Sequence, residues 1–173
     1  LASRKNWLKS SLTGGCGRHA KKAAFGLLFC CPKFFQDVML MSSREQEIER
    51  RTELSVTRVT KAVFPSTTNH HNTLFGGEAL AWMDEAAFIA ATRFCRKPLV
   101  TVCSDRVDFK ESIPAGSIIE LVARIEHVGR TSIRVNVDIF VENMYHDDQH
   151  KAISGSFTFV ALGPDRKPTP VLS

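Results

Sequence analysis

The chain of 173 residues contains no apolar run approaching the roughly 18 residues that span a membrane. Its longest candidate, residues 23–31, is half that length, so no membrane span is expected. Cysteine is scarce outside the first 40 residues: Cys16, Cys30 and Cys31 lie there, leaving Cys95 and Cys103 for everything that follows. Two widely spaced thiols make neither a disulfide framework nor a zinc site. No metal is expected, and both thiols are expected to be buried small hydrophobes in a reducing, cytoplasmic setting. Positive charge is also missing from most of the chain. The formal net charge is +5, but residues 1–40 carry seven Lys and Arg against Asp37 alone, so the remaining 133 residues stand at −1. A broad basic face for a nucleic-acid backbone is therefore not expected.

Residues 1–40 read as a basic, cysteine-containing extension. Their composition suits a leader, in which case the location would be organellar. The chain begins with Leu, and Met41-Ser42-Ser43-Arg44 looks like a natural start, so a mis-assigned upstream extension is the other expectation.

Beyond it, residues 44–51 form a charged lead-in or short helix. Residues 53–63 alternate polar and apolar with β-branched enrichment, the pattern of a half-buried strand. A polar loop rich in turn formers runs from Phe64 to Gly77, followed by an apolar helix over Ala79–Arg93. After Pro98 come four strand-like segments, residues 99–109, 117–127, 131–143 and 151–162. Val128-Gly129-Arg130 reads as a tight hairpin and Tyr145–His150 as a solvated loop, in which His146 and His150 are surface residues rather than ligands. One domain is expected over 44–168, with a tail at 169–173. A helix apolar around most of its circumference has to be wrapped, which makes the fold α+β, an antiparallel sheet curled around one long helix. The sheet's open edges favour a homodimer.

Asp84 stands out on that helix. At about 100° per residue, Glu78, Glu85 and Thr92 define the wet stripe, and Asp84 falls outside it, between Phe88 and Leu80. An unpaired carboxylate among apolar neighbours costs several kcal/mol, roughly. It is either a solvated flank residue or part of a site. Gly76-Gly77 at the helix start offers free backbone N–H groups beside the positive end of the helix dipole. Asn69, in the polar loop, has both a donor and an acceptor, although alone it reads as an Asx-turn residue. Together they supply a carbonyl polariser, a polar positioner and a base, the minimum for adding water to an acyl group.

The stretch Asn69-His70-His71-Asn72-Thr73-Leu74-Phe75-Gly76-Gly77, followed by Ala79-Leu80-Ala81-Trp82-Met83-Asp84, resembles the signature of hotdog-fold acyl-CoA thioesterases of the acyl-CoA hydrolase type. The likeness extends from about residue 52 to 168 and includes the Pro114-Ala115-Gly116 turn and the Gly129-Arg130-Thr131-Ser132 hairpin. It implies the hotdog fold and sites at a dimer interface, with Asn69 of one subunit facing Asp84 of the other. A trimer of dimers is common in the family. Asn72 departs from the family, where glycine is frequent, and Thr73 stands where an acidic residue is frequent. Asn tolerates a left-handed turn, so the loop path is expected to survive.

The reaction so implied is hydrolysis of acyl-CoA to free acid and coenzyme A, with Asp84 as base or nucleophile. No cofactor is needed, coenzyme A being part of the substrate. Its phosphates need basic and hydroxyl contacts, for which Arg130, Thr131, Ser132 and Lys110 are candidates, while Gly76 and Gly77 would hold the carbonyl oxygen. Trp82 and Phe75 read as packing residues. Two rivals stand beside this reading: a hotdog hydratase or dehydratase using His70, and a non-catalytic module binding acyl-CoA or nucleotide.

Overall fold

A computed structural model describes residues 32–172, with side chains from residue 43 onward. Cys16, Cys30, Cys31, the apolar run at 23–31 and most of the basic extension lie outside the described residues. The element order is α1 (Pro32–Ser55), β1 (Thr57–Ala62), a 3-10 turn (Pro65–Thr67), α2 (Gly76–Cys95), β2 (Leu99–Phe109), β3 (Ser117–Val128), β4 (Ser132–Asn143) and β5 (His150–Ala161).

The expected lead-in is a longer element than the sequence suggested. α1 takes in Glu53–Ser55, so the first strand begins at Thr57 rather than Glu53. Local pairing favours the helix here. Glu47 accepts from both Arg50 and Arg51, three and four residues on, and the Ser55 hydroxyl bonds back to the Thr52 carbonyl. Tertiary contact adds to this: Ile48 packs against the core and Arg51 donates to the Phe94 carbonyl on α2.

The five strands form one antiparallel sheet in the order β1-β3-β4-β5-β2, leaving β1 and β2 as its edges. Strand bounds from β2 to β5 fall within a residue of those expected. The sheet curls around α2, the hotdog arrangement. Ala79, Ala86, Ala87, Ala90 and Ala91 are fully buried, and side chains this small let the helix settle close to the sheet. Met83 and Phe94 fill the space between, against Ile119, Leu121, Val135, Val137 and Phe159. No helix among the described residues is long and apolar enough to cross a membrane. The last residues are tied down: the Val171 N–H bonds the Arg130 carbonyl and the Val171 side chain is buried.

Gly155 on β5 sits closely under Val107 of β2 and Met83 of α2. A Cβ there would stand 2.8 Å from Val107 Cγ2 and 3.1 Å from Met83 Cε. Gly155→Ala is therefore expected to destabilise the fold by about 1–3 kcal/mol through overpacking. Thermal denaturation checks this, and an unchanged midpoint would contradict it.

Candidate active site

Helix α2 places Asp84 half-buried on the flank facing edge strand β2. It lies on a cavity of about 370 Å³ whose apolar lining includes Leu80, Val102 and Phe157. Within it, the Thr101 hydroxyl donates to Asp84 Oδ1 at 3.2 Å, and Oδ2 has no partner among the described residues. Thr101 was not among the residues picked out by sequence. It is one β-branched residue in a strand, and only the packing of β2 on α2 makes it a partner of Asp84. The β2–β5 register shifts between Thr101 and Cys103, a bulge of the kind that re-aims side chains beside functional sites.

Cys103 corrects an expectation. It is exposed, not buried, and lines the Asp84 cavity with its Sγ 3.7 Å from Asp105 Oδ1. The cause is the position of β2, an edge strand whose other side is unpaired among the described residues. From Val100 to Arg106 every residue is exposed. With Leu80 37%, Phe88 43%, Val100 43% and Val102 61% exposed, an apolar surface surrounds Asp84. Cys95 is buried as expected, and burial pushes its thiol pKa up.

Asn69 builds its own loop. Its Oδ1 accepts from the His71 N–H at 2.8 Å and the Thr73 N–H at 3.3 Å, and Nδ2 donates to Thr73 Oγ1. The Asx turn is thus real, and it fixes where the amide points. Asn72 adopts φ 57°, the left-handed conformation that Asn tolerates, so the loop keeps the path expected of it. The His70 ring is exposed and packs on His71, with ring centroids 3.8 Å apart, and makes no contact with Asp84 of its own chain.

Gly76 and Gly77 form the first turn of α2, which extends three residues further toward the N-terminus than expected. The preceding Phe75 supplies no side-chain cap, and the Gly76 and Gly77 N–H groups have no partner among the described residues. Seven to eight residues separate the pair from Asp84, about 10–12 Å along the axis. A reacting carbonyl cannot touch both within one chain.

The coenzyme candidates also divide. Lys110 lines a cavity of about 310 Å³ with Gly76, Phe109 and Ile113 at the end of β2. Arg130, Thr131 and Ser132 lie by the start of β2: Ala161, paired with Leu99, donates to the Thr131 carbonyl. The length of β2 puts about 30 Å between the two groups. Trp82 is half-buried, with Lys61 Nζ 5.0 Å from its ring centre, a packing role as expected. His150 pairs with Glu111 at 2.8 Å, and His146 is exposed.

Comparison with known proteins agrees with this architecture. The thioesterase superfamily profile matches residues 71–145. The Bacillus subtilis protein YkhA, named an uncharacterized acyl-CoA thioester hydrolase, is 39% identical over 65% of this chain and 65% of its own length. The chain thus spans just under two thirds of that curated relative. The solved acyl-CoA hydrolase of Staphylococcus aureus, in complex with butyryl coenzyme A, coenzyme A and coenzyme A disulfide, is 35% identical with a TM-score of 0.68, covering 70% of this chain and 74% of that one. Its structures include alanine variants of an Asn, an Asp and a Thr, placed fifteen and then seventeen residues apart. An acyl-CoA thioesterase described as hexameric is 37% identical, with a TM-score of 0.68 over 70% of this chain and 78% of its own. On these grounds, with the sheet-wrapped helix already described, the chain belongs to the thioesterase superfamily.

Proposed function

We propose that the chain hydrolyses acyl-CoA thioesters to a free acid and coenzyme A. One observation carries this reading: a half-buried carboxylate, held at one oxygen by Thr101, opens its other oxygen to a cavity with apolar walls. In support, Asn69, Asp84 and Thr101 stand fifteen and then seventeen residues apart, the intervals of the three variant positions in the S. aureus hydrolase.

In this mechanism Asp84 takes a proton from water, whose oxygen adds to the thioester carbonyl carbon. The N–H groups of Gly76 and Gly77 donate to the developing oxyanion, and the Asn69 amide orients the water or the thioester. Collapse breaks the C–S bond, and Asp84 returns the proton to the departing thiolate. Because Asp84 lies about 10–12 Å from the glycines of its own helix, the donors come from a second copy of the chain. The open edge of β2 and the apolar surface around Asp84 are where that copy docks, giving a homodimer with sites at its interface. The hexameric relative supports three such dimers in one assembly. The coenzyme contacts in this reading come from the Arg130-Thr131-Ser132 hairpin of one copy and Lys110 of the other.

A thiol-release assay across short, medium, long and aromatic acyl-CoAs tests this. Release with at least one class is the expected result. Loss of enoyl-CoA absorbance without thiol release would support a hydratase instead, and tight binding without either would support a non-catalytic module. Thr101→Val keeps the shape of the strand and removes the hydroxyl on Asp84. It is expected to lower kcat about 10- to 100-fold with KM little changed, since a hydrogen bond to a charged group is at stake. A loss confined to KM would contradict that positioning role.

A further inference from the structure

Arg93 lies nine residues beyond Asp84, about half a turn around α2 from it. There, on the face away from the proposed reaction cavity, α1 and the last turn of α2 enclose a second cavity of about 510 Å³. Its walls carry Arg50, Arg51, Arg93, Arg96 and Lys97, and no acidic residue lines it. Leu54 and Phe94 supply apolar lining. A neighbouring cavity of about 500 Å³ shares Arg51 and adds Arg44 and Arg130, with Glu47 its one acid. Seven cationic side chains thus face one carboxylate.

That carboxylate is fully engaged. Glu47 takes Arg50 through both oxygens, at 2.9 and 2.8 Å, and Arg51 at 2.6 Å. The hydrogen bonds from Arg50 first, and from Arg51 second, hold its pKa down to about 2. On α1, Glu45 and Glu49 project from the opposite side, about 160–200° from Glu47. Two other cations are fixed by neutral oxygens that leave their charge uncompensated: Arg93 donates to Thr57 Oγ1 at 3.1 Å and Lys97 to the Pro170 carbonyl at 2.7 Å. Arg51, already paired with Glu47, also donates to the Phe94 carbonyl at 3.4 Å. Arg96, at φ 54° on the helix cap, has no side-chain partner among the described residues.

The C-terminus of α2 contributes about half a negative charge, which accounts for one cation at most. The rest repel one another in a concave space, a cost that a bound multivalent anion would relieve. Arg forks suit phosphate oxygens, and the cavity falls within the roughly 300–1,000 Å³ of small-molecule sites. We infer that this cleft binds the 5′-diphosphate of a nucleotide, apart from the Asp84 cavity. The diphosphate could come from a free nucleotide or from the nucleotide end of a coenzyme A thioester. For the latter, the acyl end would occupy another copy's reaction site.

The test is fluorescence polarisation with labelled ADP on the full chain, comparing wild type, Asp84→Asn, the charge-removing Arg96→Asn/Lys97→Gln pair and the charge-keeping Arg96→Lys/Lys97→Arg pair. ADP is expected to bind wild type, Asp84→Asn and the charge-keeping pair with similar Kd, and the charge-removing pair about tenfold or more weakly. Displacement of ADP by coenzyme A would assign the cleft to the coenzyme's nucleotide end, and simultaneous binding would assign it to a free nucleotide. Equal binding by all four proteins, equal loss in both pairs, or no binding to wild type at millimolar ADP would overturn the inference. Binding is read without turnover, so such a failure leaves the hydrolase reading to its own assay.

Discussion

Asp84→Asn is expected to lower thioester turnover by about two to three orders of magnitude while leaving fold, assembly and KM close to wild type. The amide is nearly isosteric with the carboxylate, and its carbonyl oxygen can still accept from Thr101, so the cavity keeps its shape. It lacks the ability to take a proton from water. Since the apolar walls that hold the acyl chain are untouched, the loss belongs in kcat. Steady-state kinetics on the best acyl-CoA, with a thermal midpoint as control, provides the measurement. Turnover within about tenfold of wild type would remove Asp84 from the chemistry.

The second large effect comes from the apolar surface. Phe88 is 43% exposed in the single chain, lies one helical turn beyond Asp84 and does not line the Asp84 cavity. Phe88→Lys can be accommodated by a free monomer, where the ammonium reaches water. In a two-fold contact each substitution appears twice, and burying two unpaired ammoniums costs several kcal/mol each, roughly. The expected result is dissociation to monomers in sedimentation velocity, with turnover down by at least about 100-fold because no monomer holds a whole site. A folded monomer with normal turnover would contradict the shared site.

Local signals carried much of this structure. Pro98 and a β-branched run mark the bounds of β2, while the apolar character of α2 reveals the helix but not its ends, which lie three residues earlier and two later than expected. Asn72 is expected to keep a left-handed turn because the family resemblance puts glycine there and Asn tolerates that backbone, and its φ is 57°. What was missed depends on contacts between distant segments. Glu53-Leu54-Ser55 fits a strand or a helix equally well, and the packing of α1 on α2 selects the helix. Thr101 becomes the partner of Asp84 only when β2 crosses that turn of α2. The exposure of Cys103 follows from strand order, which no local pattern encodes. Lys110 and Arg130 were grouped by chemistry, but the direction of β2 carries them to opposite ends of the sheet. Gly155 carries no local signal, since a lone strand glycine does not announce the Met83 side chain packed above it.

The central claim is that each site joins two copies of the chain, and complementation between two inactive variants tests it most directly. Asn69→Asp keeps an acceptor for the His71 and Thr73 N–H groups, so the loop holds while the amide donor is lost. Co-expressing it with Asp84→Asn gives, on random pairing, half the dimers mixed. Each mixed dimer has one site with both native residues and one with neither. Turnover of about one quarter of wild type is therefore expected from two variants that are each nearly inactive alone. Turnover no greater than the mean of the two separate variants would contradict a site shared across the interface.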